Sequence, residues 1–302
     1  MTTLRGDRVG ILGAGAVGTA LAVGLSEAGY NVTAITSRNT DRARMLAGLI
    51  GGAIHTRHAG LLVDVADIVF LTVPDDAIGA VAESVPWRAG MAAVHCSGGT
   101  PVSVLECAGE YGAVIGGFHP LYTFPPSAKR PVTLENVTFA IESRDPALHH
   151  QLRDMAHALH GHAIDINEKT RALYHISGVL ASNYLVAIIA EAAGLWAQFG
   201  YNQSQALQAL LPLVRGTVGN IERDGAAAAL TGPIVRGDLG TVQAHLEQLR
   251  ATLPSVVPLY AALAQATAKF AVDAQRLDGT RGAEILALVG RESSETTGQA
   301  NR

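Results

Sequence analysis

The feature that most constrains the fold of this chain is a glycine-rich segment near its N-terminus, VGILGAGAVGTALAVGL. Gly13, Gly15 and Gly18 form a G-x-G-x-x-G pattern. It follows a predicted strand at Val9–Leu12 and opens a predicted helix at Ala16–Ala28. In this context the pattern predicts a strand–turn–helix unit that binds a dinucleotide. The first glycine permits a tight turn, the second lets the pyrophosphate approach the backbone, and the third lets helix and strand pack closely. The helix N-terminus then offers unpaired N–H groups to the phosphates. A plain structural turn is the alternative.

The remainder of the first half alternates short apolar strands with helices. The predicted strands are Val32–Ile35, Ile68–Val73, Ala92–Cys96, Val114–Phe118, Val137–Ile141 and His162–Ile166. Two further helices are predicted at Asp41–Gly48 and Pro146–His160. Continuous apolar strands that alternate with helices predict a doubly wound parallel sheet covered on both faces, which is a Rossmann domain of the α/β class.

From Glu168 onward the sequence pattern is helical only. The predicted helices are Lys169–Phe199, Ser204–Arg223, Leu239–Thr252, Ser255–Asp273 and Ala283–Gly290. We therefore expect a Rossmann domain over residues 1–167, an all-α domain over residues 168–290 and a polar, disordered tail over residues 291–302.

Charge and cysteine content exclude several kinds of partner. Lys plus Arg number 22 against 26 Asp plus Glu, so the formal net charge is −4. Surfaces that bind nucleic acid carry a basic excess, and we expect no nucleic-acid partner. The 2 cysteines and 11 histidines show no zinc-ligand spacing, so no metal site is expected. The N-terminal segment lacks the pattern of a secretory signal, which favours the cytoplasm.

The segment Ile176–Phe199 is apolar enough to raise the question of a membrane span. It contains the polar residues Ser182, Asn183, Glu191 and Gln198. Because these would be costly in lipid, we interpret the segment as a buried helix of a soluble protein with no membrane partner. The whole predicted helix Lys169–Phe199 is apolar on nearly all of its faces, and one small helical domain cannot cover that much apolar surface. We therefore expect a homodimer built on the C-terminal helices, with the active site in the cleft between the domains.

The end of the second predicted strand indicates which dinucleotide binds. NAD-binding folds usually place Asp or Glu there to accept hydrogen bonds from the ribose, whereas residues 37–40 read S-R-N-T. Arg38, flanked by Ser37, could pair with a 2′-phosphate, which favours NADP over NAD; a solvated arginine is the alternative. Val73 and Pro74 could wall the nucleotide at the same sheet edge, although Pro74 could simply end its strand. The expected cofactor contacts are Gly13, Ala14, Gly15, Ala16, Val17, Gly18, Ser37, Arg38, Val73 and Pro74.

A polar stripe on the first C-terminal helix offers groups for carbonyl reduction, which leaves an oxyanion that must be stabilised or protonated. Its residues are spaced by four, three and four positions: Arg171, His175, Gly178 and Ser182. His175 is expected to be the acid because its unperturbed pKa suits proton transfer at neutral pH. Asn183 would hold a substrate oxygen, and Arg171 and Ser182 would bind the substrate. Gly178 in mid-helix suggests close approach of a ligand or of backbone. A satisfied core histidine is the alternative for His175.

Three loops offer further candidates. HCSGGT follows a predicted strand and contains Ser97, and GGFHPLYTF ends the next predicted strand and contains His119. Both residues are among the expected catalytic residues. Ser97 could instead only cap the helix that begins near Thr100. In LTGPIVRGD, Arg236 could bind a substrate carboxylate bidentately, or it could pair with Asp238, which is also well placed to cap the next helix.

The sequence resembles the superfamily of ketopantoate reductases, pyrroline-5-carboxylate reductases and 6-phosphogluconate dehydrogenases. It is most similar to an uncharacterised group of Rossmann-like oxidoreductases with a C-terminal helical domain of unknown function. The resemblance rests on GAGAVG, TVPDDAI, HCSGGT, GGFHPLYTF, YHISGVLASNYLVAI and LTGPIVRGD. It implies an NADP-binding Rossmann domain joined to a helical domain through which members often dimerise. The characterised relatives carry a catalytic lysine on the long helix, whereas this chain has no lysine between Lys169 and Lys269.

Together these features predict an NADPH-dependent oxidoreductase that reduces a small, carboxylated carbonyl or imine compound. A ketopantoate-like 2-oxo acid is one candidate substrate, on the superfamily resemblance alone. The alternative is a catalytically silent NADP-binding sensor or interaction protein. The missing lysine favours this alternative, and the polar stripe favours the enzyme.

Overall fold

A computed structural model describes residues 8–125 and 131–299. The chain divides into two compact units, Met1–Asn183 and Tyr184–Arg302, which are called the first and second unit below.

The first unit is built on a sheet of eight strands in the order β3-β2-β1-β4-β5-β6-β7-β8. The strands are β1 Arg8–Leu12, β2 Asn31–Thr36, β3 Ile54–Thr56, β4 Ile68–Leu71, β5 Ala92–His95, β6 Val114–Leu121, β7 Thr138–Ser143 and β8 His162–Asp165. All neighbouring strands are parallel except β6 and β7. The predicted Rossmann sheet is thus confirmed as mostly parallel, and the short, largely exposed β3 was missed.

The antiparallel pair departs from the all-parallel prediction. His119 on β6 lies opposite Ala140 on β7, with the two strands running in opposite directions. A parallel neighbour needs a crossover connection, usually a helix, and the described residues between these strands contain none. The chain therefore returns directly beside β6.

Helices cover both faces of this sheet. They are α1 Ala16–Glu27, α2 Thr40–Ile50, α3 Gly60–Val65, α4 Ile78–Glu83, α5 Glu106–Gly109, α6 Pro146–Ala158 and α7 Glu168–Ala181. One core cluster includes Leu21, Phe118 and Leu148, and a second includes Leu62 and Trp87. Because both sheet faces are buried, the central strands carry continuous apolar runs.

The second unit is helical. Its helices are α8 Asn183–Gly194, which begins at the unit boundary, α9 Gln203–Ala229, α10 Leu239–Thr252, α11 Val257–Asp273 and α12 Gly279–Gln299. Val242, Leu246 and Ala264 are buried in one of its core clusters. Asp238 caps α10, since its carboxylate accepts a hydrogen bond from the Thr241 N–H at 3.0 Å.

The predicted helix Lys169–Phe199 is not one helix. It is divided into α7, α8 and a 3₁₀ turn at Leu195–Phe199, with non-helical φ/ψ of −121° and −70° at Ser182. Serine and asparagine compete for backbone hydrogen bonds, which explains a break at Ser182-Asn183. The prediction that Ile176–Phe199 is a buried helix is also wrong for the single chain, since 6% of the most apolar 18 residues of Glu168–Phe199 are buried. By length and composition alone, Glu168–Phe199 and Pro254–Asp273 could each cross a membrane.

Two domain limits differ from those expected. The first compact unit ends at residue 183 rather than 167, because α7 stays attached to the sheet through Arg171, as described below. The backbone is helical to Gln299, where a disordered tail was predicted from residue 291. No proline or glycine interrupts residues 291–297, so the helical pattern has nothing to stop it there. Residues 300–302 lie outside the described residues.

Candidate functional site

The glycine turn after β1 is sterically determined. Gly13 has φ +122°, and its N–H donates to the Thr36 carbonyl at 2.7 Å. The Thr72 hydroxyl at the end of β4 donates to the Gly13 carbonyl at 2.7 Å. A Cβ atom on Gly13 would lie 2.6 Å from the Thr72 carbonyl oxygen, and one on Gly18 would lie 2.0 Å from the Gly13 carbonyl oxygen. Neither position can accept a side chain without moving the turn.

The N-terminus of α1 is open for an anion. Gly15 is its N-cap residue, no side chain caps the helix, and its first turn contains no acidic residue. A Cβ atom on Gly15 would contact only the Thr72 carbonyl oxygen, at 3.8 Å, so this glycine faces open space. Unpaired N–H groups and the positive end of the helix dipole together form a phosphate site. The residues therefore fit the pyrophosphate of a dinucleotide.

A cavity of about 580 Å³ lies against this helix end. It is lined by Ala14, Gly15, Ala16, Val17, Thr19, Arg42, Met45, Leu46, Leu49, Thr72, Val73, Pro74, Phe124, Pro125, Pro131 and Val132. Of the expected cofactor residues, the structure brings together residues 14–17 with Val73 and Pro74. Gly13 and Gly18 shape the turn behind them, and Ser37 and Arg38 do not line the cavity.

Two arginines follow β2. Arg38 is exposed at the strand end, and Arg42 lies four residues later, as the third residue of α2, where it lines the cavity. Neither guanidinium has an ion-pair partner among the described residues. Arg44, by contrast, pairs with Asp41 at 3.3 Å. Arg42 was missed by the sequence analysis; the signal that could have found it is a second basic residue in the first turn of the helix after β2.

Ser97, at the end of β5, has all its hydrogen-bonding capacity occupied. Its hydroxyl lies 2.8 Å from the Asp75 carboxylate and 2.8 Å from the Thr100 hydroxyl, and it accepts from the Thr100 N–H at 3.0 Å. Because a carboxylate only accepts, the Ser97 proton goes to Asp75 and the Thr100 hydroxyl donates to Ser97. Ser97 is 5% exposed. Ser97 thus fixes the loop after β5, but it does not cap the 3₁₀ turn Val102–Leu105, whose N-cap residue Pro101 has no side-chain hydrogen bond; its catalytic role stays a prediction.

Arg171 does not have the predicted substrate-binding geometry. It is 2% exposed, and its Nε and Nη2 atoms donate to Glu142 Oε2 at 3.0 and 2.6 Å. Its Nη1 atom donates to the Ser97 carbonyl at 3.0 Å. A Cβ atom on Gly117 would lie 2.8 Å from Nη2, so this glycine makes room for the guanidinium. Arg171 therefore joins α7 to β7 and to the loop after β5, and its charge is neutralised by Glu142.

His119, Tyr174 and His175 converge on the same loop. His119 Nδ1 lies 2.7 Å from the Tyr174 hydroxyl, and the two rings meet edge to face with centroids 5.6 Å apart. A Cβ atom on Gly98 would lie 2.9 Å from His119 Nε2 and 3.0 Å from His175 Cδ2. Both imidazoles therefore pack against the Gly98 backbone, in space that any larger residue at this position would fill with its side chain. Tyr174 was missed because the spacing of the stripe did not select it.

Two histidines of this region, His95 and His119, are held neutral. Burial, followed by the nearby His175 and Arg171, lowers the pKa of His119 to about 4. Burial, followed by Arg171 and His119, lowers the pKa of His95 to about 3, with a small opposing effect of the Pro101 backbone. Burial raises the pKa of Tyr174 to about 12, partly opposed by Arg171. At neutral pH the site thus holds a protonated phenol against a neutral imidazole.

The other expected residues have local explanations. A Cβ atom on Gly178 would lie 3.0 Å from Leu121 Cδ1, so close packing of this side chain accounts for the mid-helix glycine. Ser182 ends α7, and Asn183 is exposed at the start of α8. Arg236 is exposed in the second unit, in the loop that precedes α10. No group of three His, Cys, Asp or Glu among the described residues could hold a metal ion.

Comparison with known families and structures agrees with this geometry. Residues 8–95 match the family described as NADP oxidoreductase, coenzyme F420-dependent. Residues 137–267 match a domain of unknown function, DUF2520. A comparison with curated proteins gives no match.

Solved structures share the fold along most of the chain. A protein described as an NADP oxidoreductase from Bacteroides fragilis is 25% identical, with TM-score 0.71, over 88% of this chain and 99% of that one. A reductive aminase from Aspergillus terreus, solved with NADPH and ethyl-5-oxohexanoate, is 16% identical, with TM-score 0.62, over 96% and 94%. A 1-pyrroline-5-carboxylate reductase from Streptococcus pyogenes is 16% identical, with TM-score 0.59, over 89% and 98%.

These matches confirm the resemblance found in the sequence: residues 8–95 are similar to the NADP oxidoreductase family and residues 137–267 to DUF2520. Neither match assigns a substrate.

Proposed function

We propose that this protein is an NADPH-dependent oxidoreductase that reduces the carbonyl or imine group of a small molecule. The observation that carries the proposal is the arrangement along one edge of the sheet. The open N-terminus of α1 follows β1, and His119 with its partner Tyr174 lies at β6, on the far side of β4 and β5. Ligands of open α/β sheets bind at the carboxyl ends of parallel strands, where the strand order reverses.

The cofactor half of the proposal is NADP. The N–H groups at the start of α1 would hold the pyrophosphate, and Arg38 and Arg42 would hold the 2′-phosphate. Bound NADPH supplies a hydride. The family description also mentions coenzyme F420, but two arginines without ion-pair partners among the described residues favour a cofactor with a phosphate on its ribose.

Among the described residues, the charges at β5 and β6 leave no free cation in the site to bind a substrate carboxylate, which favours a substrate recognised by its carbonyl or imine group. Arg171 is already paired with Glu142, and burial keeps His119 neutral. Asp75, which follows β4, has an exposed carboxylate, and one of its oxygens accepts a hydrogen bond from the Ser97 hydroxyl. The structural neighbours include a reductive aminase and a pyrroline-5-carboxylate reductase, whose fold this chain shares. A ketopantoate-like 2-oxo acid would require a cation from elsewhere, for which Arg236 is the remaining candidate.

We also propose a homodimer formed by the apolar helices. Large apolar side chains on α7, α8 and α9 are exposed in the single chain: Leu173, Ile176, Leu180, Tyr184, Val186, Leu213, Val218 and Ile221. Charged residues such as Glu191, Arg215 and Glu222 lie among them. A second copy can pair or solvate these charges, whereas a lipid core cannot, so this interface fits a cytoplasmic protein better than a membrane.

Light scattering at micromolar concentration tests the dimer. The expected mass is twice the chain mass of 31.4 kDa. A monomer that remains soluble would contradict the proposal, and a monomer that sediments with lipid vesicles would favour membrane binding instead.

Calorimetry and a turnover screen test the enzyme. We expect NADPH to bind more tightly than NADH or reduced F420, and we expect NADPH absorbance to fall with a member of a panel of cyclic imines, ketones with amines, and 2-oxo acids. Tight NADPH binding without turnover across the panel would favour the sensor alternative. Preference for F420 would overturn the cofactor assignment.

A further inference from the structure

We propose that Tyr174 and His119 form a proton relay, in which His119 Nε2 gives a proton to the reduced substrate atom and Tyr174 replaces it at Nδ1. This inference rests on the proposed function, because it assigns the proton source of that same site. It also gives Tyr174, to which neither family match assigns a role, the role of proton donor to His119.

The geometry of the pair supports a relay rather than a packing contact alone. The phenol oxygen lies 2.7 Å from His119 Nδ1, which is the length of a strong hydrogen bond. The opposite edge of the same ring, Cε1 and Nε2, lies where a side chain on Gly98 would be, at 2.8 and 2.9 Å from that Cβ position. The ring edge that carries Nε2 therefore packs against the Gly98 backbone in the loop after β5, at a position where no side chain covers it.

The direction of the hydrogen bond follows from the chemistry of the two groups. A phenol is a stronger donor than a neutral imidazole N–H, and an imidazole nitrogen is a stronger acceptor than a phenol oxygen. The Tyr174 hydroxyl therefore donates to Nδ1, which places the ring proton of His119 on Nε2. No described residue accepts a hydrogen bond from this Nε2–H, so it is available to a substrate.

The surrounding charges support this protonation state. Tyr174 and His175 face His119 from α7, with Arg171 on the same helix; Glu142 on β7 neutralises Arg171, and His95 lies on β5. Burial and the neighbouring cation hold the pKa of His119 well below neutrality. Burial holds the pKa of Tyr174 above its usual value, so the phenol keeps its proton until a stronger base forms.

The proton balance is complete with water as the final donor. When the carbonyl or imine carbon receives the hydride, its oxygen or nitrogen takes the Nε2 proton of His119. The Nδ1 atom of the same ring takes the phenolic proton of Tyr174, which leaves a neutral imidazole and a tyrosinate. Water then gives a proton to Nε2 while the Nδ1 proton returns to the tyrosinate, which restores the starting tautomer. An alkoxide is more basic than a tyrosinate, so proton transfer to a reduced carbonyl is downhill.

The test compares Tyr174→Phe with Tyr260→Phe. Tyr260 in the second unit makes the same kind of contact, with its hydroxyl 2.9 Å from His245 Nδ1 and the rings edge to face. We expect Y174F to lower kcat about 100-fold, the usual scale of general acid catalysis. Its KM for NADPH should not change, and the solvent isotope effect on kcat should change. Y260F should change none of these.

Nitrogen NMR of the histidine side chains provides a readout that does not depend on turnover. We expect His119 to be the Nε2–H tautomer with a hydrogen-bonded Nδ1, and we expect the Nδ1 resonance to move in Y174F only. An Nδ1–H tautomer, or equal kcat for Y174F and Y260F, would overturn the relay. Absence of NADPH binding and turnover in the wild type would instead overturn the proposed function, while the tautomer measurement would still decide the hydrogen-bond direction.

Discussion

Removing Arg171 should destabilise the first unit much more than removing an exposed arginine. The side chains of Arg171 and Glu142 are 3% and 15% exposed, and Arg171 also holds the Ser97 carbonyl. In the matched pair, Arg153 and Asp165 have side chains 32% and 60% exposed. Arg171→Met leaves a nearly buried carboxylate without its cation, whereas Arg153→Met leaves a carboxylate that water can solvate.

The expected magnitudes differ accordingly. Breaking a buried ion pair by removing one partner costs about 3–5 kcal/mol, because the remaining charge is uncompensated. Breaking an exposed pair costs about 1 kcal/mol or less. With a urea m-value of about 2–3 kcal/mol/M, Arg171→Met should lower the midpoint by about 1–2 M. Arg153→Met should lower it by less than about 0.5 M.

Tryptophan fluorescence can follow the first unit alone. The chain has 2 tryptophans, and Trp87 lies in the first unit, 4% exposed, with its indole N–H donating to the Ala82 carbonyl at 2.7 Å. Trp196 lies in the second unit, so urea unfolding is measured in a Trp196→Phe background.

Equal midpoints for Arg171→Met and Arg153→Met would refute the reasoning. A third variant separates charge from packing. Arg171→Met combined with Glu142→Leu removes both charges, and apolar replacement of a buried pair is often neutral. We expect this double variant to recover most of the lost stability. If it is as unstable as the single variant, then the contact with the Ser97 carbonyl, and not the uncompensated charge, dominates.

Three further predictions concern the cofactor site and pH. Arg38→Ala should weaken NADPH binding about 10- to 100-fold with little change for NADH, as measured by calorimetry, while Arg44→Ala, which breaks only the exposed pair with Asp41, should change neither. Gly18→Ala should abolish NADPH binding and lower the free energy of unfolding in urea by at least about 1–3 kcal/mol, since its Cβ atom would lie 2.0 Å from a carbonyl oxygen. If the alanine variant still binds NADPH, then the turn can move to accept a side chain. Because the folded pKa values of His95 and His119, about 3 and about 4, lie below the ordinary 6.5, the unfolded chain binds protons first on acidification. Stability should therefore fall as the pH drops below 6.5, by about 2 kcal/mol for each histidine at pH 5, and a flat stability profile between pH 7 and pH 5 would contradict these shifts.

The local backbone of the cofactor half could be predicted from the sequence because its signals are local. A turn that needs Gly13 and Gly18 lies between an apolar strand and a helix, and each of these features is carried by residues adjacent in the chain. The same holds for the helix cap at Asp238, whose side chain accepts from the Thr241 N–H three residues later.

The partners of the polar side chains could not be predicted in this way. Helical spacing placed Arg171 and Gly178 on one stripe, but it could not show that Glu142 neutralises the first or that Leu121 packs against the second. Tyr174 was overlooked because its partner, His119, is 55 residues away in the chain. Likewise, α7 looked like the start of the helical domain until its bonds to the sheet assigned it to the first unit.

The difference has a physical origin. Backbone conformation depends on sterics and hydrogen bonds within a few residues, which a sequence pattern displays directly. The role of an ionisable or polar side chain depends on its burial and on the charges within a few ångströms of it. At this site those neighbours come from β4, β5, β6, β7 and α7. Only the folded sheet brings them together, so only the tertiary structure could show that Arg171 is structural and that Tyr174 faces a neutral histidine.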